Sequence, residues 1–236
     1  VVITGFLGSL LVLASAALVI APFDVSTFKG WVGIVFLAAT PTQIILGLLW
    51  HNDYPSQIGR MSQPLKGLCL TLITVGAGAA IAIGSSAIVG GGMGPTPMLT
   101  QYLILTVVVT LWGIPIWQAW PFTLFSKNPI VFGMPALVTF YIIAYILWRL
   151  LFNYDVLAGA PFYSKAYAPS GLFDLWTATV FAVTTGGIIV FHVLFDFWPI
   201  TKLSRGKPQP VRGIVGSLYV IALAFLIRFI FIDLFG

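Results

Sequence analysis

The chain has 236 residues, 59% of them hydrophobic and 7% charged, with a mean hydropathy of +1.05. So little polar surface cannot cover a soluble globule of this size, and the chain belongs in a lipid bilayer. A net charge of +5 would suit nucleic acid in a soluble protein, but here the lysines and arginines flank apolar runs and report topology, so nucleic acid is set aside as a partner.

Crossing a hydrocarbon layer of ~30 Å takes roughly 20 apolar residues. Seven stretches meet that length, at 1–21, 31–50, 66–89, 99–121, 130–152, 173–199 and 213–235. They are continuously apolar, not alternating, which excludes a strand barrel. The expected fold is all-α: one transmembrane domain over 1–236 with seven helices. No basic stretch precedes the first run, so it reads as a span and not a signal peptide; the chain does not begin with methionine, which leaves room for residues upstream. The lone Cys69 has no partner for an internal disulfide.

Arg60, Lys66, Lys127, Lys202, Arg205, Lys207 and Arg212 fall in loops on one side, against Lys29 and Lys165 on the other. That bias puts the N-terminus in the cytoplasm and the C-terminus on the opposite side, with a bacterial inner membrane or its equivalent as the expected location.

Landmarks between 21 and 68 return between 120 and 172. Pro22-Phe23, Leu49-Trp50, Asn52-Asp53-Tyr54 and Gly67-Leu68 match Pro121-Phe122, Leu147-Trp148, Asn153-Tyr154-Asp155 and Gly171-Leu172. Three spans separate the copies, so they would be inverted: halves at 1–98 and 99–200, with an extra helix at 213–236 that resembles the first. Inverted repeats of this kind characterise many transporters.

Gly76, Gly78 and Gly84 thin the third span and Gly186-Gly187 the sixth, so these two are expected to pack centrally. The turn from Gly90 to Met98 is expected to be a plain loop. Pro41, Pro115 and Pro135 free backbone carbonyls within their helices. Seven tryptophans (Trp31, Trp50, Trp117, Trp120, Trp148, Trp176 and Trp198) lie near span ends, as an interfacial belt would. The long loop 153–172 faces away from the basic side, where it would cap a cavity or meet a partner.

Few residues could carry chemistry. His192 and Asp196, four apart, would share a helix face about 6 Å apart along the axis. His51 and Asp53 fall at the same side of the membrane. Two imidazoles and two carboxylates suit a transition metal, the only cofactor suggested; a His192–Asp196 proton relay or polar pore lining, and a purely structural role, are the other readings. Arg149 is near enough to its boundary to snorkel. Arg228 lies deeper and calls for a neighbouring helix, a headgroup or an anionic ligand, with Asp174 or Asp155 as its better-placed protein partners.

Histidine boxes, cysteine clusters, a phosphate-binding glycine loop and an aspartate-rich motif are all missing, and the seventh span has no lysine for a retinal Schiff base. Three functions follow as expectations. One is a small transporter or channel for an uncharged or anionic solute, with a cavity lined by the third and sixth spans. Another is a non-catalytic subunit of a larger membrane complex, or a homo-oligomer, holding partner helices, lipid, quinone or pigment. The third is a membrane enzyme with a metal at His51, Asp53, His192 and Asp196.

Overall fold

A computed structural model describes residues 25–92 and 94–230. The stretch 1–21, the Pro22-Phe23 landmark and Asp233 lie outside the described residues. Within them six helices are long and apolar enough to cross a membrane. This makes the chain a helical integral membrane protein. The helices are α1 (Val25–Ile44, continued by a wider π-helical turn over Ile45–Leu49), α3 (Leu65–Gly90), α4 (Pro97–Leu111, continued as a π turn over Trp112–Ile116), α5 (Pro129–Leu151), α6 (Leu175–Val193) and α8 (Val211–Arg228). Short turns α2 (Ser56–Gly59) and α7 (Ile200–Leu203) lie between spans.

Helices form because hydrocarbon offers no partner for a bare peptide group, so each N–H and C=O must be satisfied within its own segment. Several hydroxyls are satisfied in the same way: those of Thr106, Thr110, Thr179 and Thr185 each donate to a carbonyl three or four residues back. Helix starts are capped where the sequence supplies the residues. Thr96 caps α4 with Pro97 following, Asn128 caps α5 with Pro129 following, and Asp174 caps α6.

The central helix is α4, in contact with α1, α3, α5 and α6, and its Met98, Leu99, Leu103 and Thr106 are completely buried. This corrects the expectation that the third and sixth spans would be central. Buried positions on α3 are confined to a stripe running from Gly78 to Gly90, and its Leu68, Leu72, Ile83 and Ile88 are exposed. A small residue thins a helix only where another backbone comes close. Gly78 meets α1, where an added Cβ would lie 2.7 Å from the Val35 carbonyl oxygen and from the Ala39 Cβ, while Gly76 and Gly84 have nothing within 4 Å.

The chain leaves α1, α4 and α6 by one recurring turn. After an aromatic residue come two left-handed positions and then an aromatic–proline pair: Trp50, His51 and Asn52 (φ 51° and 61°), then Tyr54-Pro55; Trp117, Gln118 and Ala119 (52° and 56°), then Trp120-Pro121; Phe195, Asp196 and Phe197 (48° and 57°), then Trp198-Pro199. In the first two the amides of Asn52 and Ala119 reach back six residues to Leu46 and Gly113 at 2.8 Å, and in the third Phe197 reaches His192 at 2.9 Å. Each proline then opens a short helical turn, at Ser56–Gly59, Phe122–Leu124 and Ile200–Leu203, followed by Arg60, Lys127 or Arg205. Consecutive spans alternate in direction, so all three exits share the basic side.

The inverted pairing is not echoed at this point. Aligning Trp50 with Trp148 sets the left-handed His51 and Asn52 against Arg149 and Leu150, which remain helical to the end of α5. Nor do the helix contacts echo it: α1 packs extensively on α3, whereas α5 and α6, their counterparts, share no substantial interface and both lean on α4.

On the far side, the turn between α3 and α4 uses Gly91, Gly92 and Gly94 in left-handed conformation. Loop 153–172 folds down over this end of the bundle. A two-residue parallel ladder joins β1 (Phe152–Asn153) to β2 (Phe173–Asp174), and Tyr167 lies so close over Gly91 that a Cβ there would come within 2.5 Å of its ring. Trp148 and Tyr154, both fully buried, hold the loop to α5: the indole N–H donates to the Tyr154 hydroxyl at 3.1 Å. Burial raises the pKa of that phenol, which therefore stays protonated.

Candidate functional site

Among the described residues no three or more His, Cys, Asp or Glu side chains come together as a metal site. The sequence-based quartet is dispersed. His51 and Asp53 are exposed in the first exit turn, where the Asp53 carboxylate faces the Lys66 ammonium at 3.4 Å. Asp196 is not on the face of His192, because α6 ends at Val193 and Asp196 occupies the third exit turn. His51, Gln118 and Asp196 are equivalent positions in the three turns, and Asn, Asp and His are enriched in left-handed backbone. Local backbone geometry explains their polarity without a ligand.

His192 is buried. A carbonyl can only accept, so its Nδ1–H donates to the Ile188 oxygen at 2.8 Å, and Nε2 is left to accept from the Tyr219 hydroxyl at 3.3 Å. The pair borders an apolar cavity of about 500 Å³ between α6 and α8, walled by Phe191, Phe195 and Trp198. Arg149 is tied to the far-side loop by a bond from Nη1 to the Tyr167 carbonyl at 2.9 Å. That loop thus covers the bundle with Arg149 as a strut.

Arg228 lies in a different environment, at one end of an apolar groove of about 560 Å³. The larger packed cluster joins α1, α3, α4, α5 and, through Leu175, Ala178 and Ala182, the first turns of α6; the smaller joins Ile116, Ile188, Ile189, Ile200, Val220 and Ala224. The floor of the groove is α4, from Leu105 through Val109 and Gly113 to Trp117 and Trp120 at the second exit turn; one wall is α5, from Phe140 to Leu151; the other is formed by α6 with α8, where the Phe181 and Phe225 rings stack at 5.3 Å. Along α5 it extends for eleven residues, about 17 Å. Exposed Phe173 and Phe225 line it, so it is open at the surface.

Small side chains on α6 create the space. Ala178, Ala182 and Thr185 are buried and line the groove at successive turns of one face. That periodic signal was present in the sequence, but the neighbouring Gly186-Gly187 drew the expectation of close packing. The glycines do something else: Gly186 receives Val108 of α4, while Gly187 borders the His192 cavity.

Asp174 caps α6 at the open end of the groove, its Oδ1 accepting from the Thr177 N–H at 3.0 Å. Hydrogen bonds from the Thr177 side chain and backbone hold its carboxyl below the usual 3.8. A depressed carboxylate stabilises the folded state above its unfolded pKa, and that contribution disappears as pH falls through the folded one. Amide protection in the first turn of α6 is therefore expected to be flat from neutral pH down to the ordinary carboxylate range and to drop below it. Asp174→Asn, which still caps, should flatten the response, and hydrogen exchange across that range checks it.

No protein-family model, curated protein or solved structure matches the chain, so the functional argument rests on the groove and the residues that build it.

Proposed function

We propose that this protein is a non-catalytic, ligand-holding subunit of a membrane assembly, and that its groove takes up one long apolar chain from the surrounding bilayer. The observation that carries the reading is the groove itself: α5 and α6, consecutive in the chain, stand apart over the floor of α4 and leave about 560 Å³ between them. That volume falls in the range of roughly 300–1,000 Å³ typical of ligand sites. Long, apolar and running between α5 and α6 from Phe173 to Trp120, the groove suits an extended hydrocarbon chain.

The transporter reading draws less support. A hydrated solute needs donors and acceptors along its path, and the lining of this groove is almost wholly apolar. The enzyme reading lacks a gathered set of metal ligands among the described residues. With 1–21 as a seventh span, and with the basic exit turns in the cytoplasm, the groove's Arg228 end would open toward the opposite leaflet.

Purified intact chain, extracted with solvent and analysed by mass spectrometry, is expected to yield about one long-chain amphiphile per protein. Ala182→Trp and Thr177→Trp, which fill the groove at its middle and at its mouth, should each lose that molecule while keeping the helical circular dichroism of the parent. Parent protein that carries no such molecule, or filled variants that retain it in full, would sink the reading.

A further inference from the structure

We infer that the molecule held in this groove is an anionic phospholipid of the leaflet away from the basic exit turns, its headgroup bound by Arg228. The inference rests on the groove holding an apolar chain and adds which chain and which way up.

Three observations carry it. First, Arg228 is the one charged side chain lining the groove. It ends α8 seventeen residues after Val211, about 26 Å along a helix that starts on the basic side. In a hydrocarbon layer of ~30 Å, that places the guanidinium within reach of the opposite interface. Second, the groove's other lining at that end comes from Leu151, Phe152, Phe173 and Thr177, the last turn of α5 and the first of α6. Beside them Leu172 and Trp176 are 80% and 65% exposed. An exposed tryptophan next to Phe173 marks headgroup depth, so the mouth opens where a phosphate would sit. Third, the groove is continuous from this mouth down α5 as far as Phe140 and along α4 to Trp117 and Trp120 at the second exit turn, so an acyl chain anchored at Arg228 finds apolar lining along its whole length.

Charge makes the specificity. Among the described residues the Lys66–Asp53 pair is the one ion pair, and Asp174 near the mouth is occupied in capping α6. A guanidinium left in apolar surroundings is costly unless it finds an anion, and its planar fork suits a phosphate bidentately. Zwitterionic headgroups also carry a phosphate, but a neighbouring ammonium offsets it. The basic loops cannot select this ligand, since they lie at the other face.

The test is native mass spectrometry of the intact chain in mild detergent, titrated with phosphatidylglycerol or phosphatidylcholine of identical acyl chains. Parent protein should favour phosphatidylglycerol roughly fivefold, as one basic residue near a membrane surface provides. Arg228→Lys should keep most of that preference. Arg228→Gln should bind both lipids equally, and Ala182→Trp should bind neither. Equal binding by the parent, or a preference that survives Arg228→Gln, overturns the anionic assignment and leaves the chain-holding groove standing. A long-tailed quinone retained in their place likewise overturns only the anionic assignment, whereas a parent that holds no long-chain molecule, or a second copy of the chain instead, overturns both.

Discussion

Trp148→Ala is expected to cost about 3–5 kcal/mol of stability, the range for emptying a fully buried indole site. Trp148 has no exposed surface, and its ring lies 6.0–6.1 Å from those of Tyr102, Tyr145 and Tyr154. In a bilayer much of the usual water-to-core transfer gain is absent, since lipid is as apolar as the protein interior. The loss comes instead from dispersion contacts with three rings that cannot close the gap. It also removes the donor to Tyr154, whose amide in turn bonds the Pro169 carbonyl at 3.2 Å, so loop 153–172 loses its anchor on α5. Thermal unfolding in detergent should fall on the order of 10 °C for a chain of this length. Trp148→Phe, which keeps most of the volume and loses the N–H, should cost about 1 kcal/mol. Equal melting of the alanine variant and the parent would mean that the loop is held elsewhere.

Gly78→Leu should be comparably severe, for the opposite reason. At Gly78 even a single methyl would meet the Val35 carbonyl oxygen and the Ala39 Cβ at 2.7 Å and the Ala39 Cα at 3.0 Å. Backbone atoms cannot rotate aside, so α1 and α3 must separate. Overpacking of a close contact costs about 1–3 kcal/mol even for modest additions, and leucine adds three carbons beyond the methyl. The contrast lies one face away: Gly84→Ala meets nothing within 4 Å and should be neutral or stabilise by about 0.5–1 kcal/mol through helix propensity. Melting curves of the two variants side by side decide whether α3 is seated as described.

These glycines show where sequence reading stops. Gly76, Gly78 and Gly84 form one class by composition, yet only Gly78 faces a neighbouring backbone, because which side of α3 meets α1 depends on how the helices pack. Asp196 reads as a partner of His192 when spacing along an ideal helix is assumed, and His51 joins them only by lying on the same side of the membrane. The chain instead departs from the helix at both His51 and Asp196, and the same left-handed turn recurs at Gln118. Its signature, an aromatic residue, a polar one and then an aromatic–proline pair before a basic residue, is visible in the sequence once the backbone shows which residues to align. The landmarks taken for an inverted repeat include two pieces of that turn, at Trp50 and at Pro121.

Sequence alone established that the chain lives in a bilayer as helices, about where the six described spans lie, and which loops carry the positive charge. Those are one-dimensional properties, set by the cost of an unpaired peptide group or a charge in hydrocarbon, and they are paid residue by residue. Tertiary structure decided that α4 is central, that α5 and α6 part over it, and that Arg228 lies at the mouth of the resulting groove. A gap between helices has no sequence of its own: it exists because small side chains on α6 and large ones on α5 and α8 meet at distances that only the packed bundle sets.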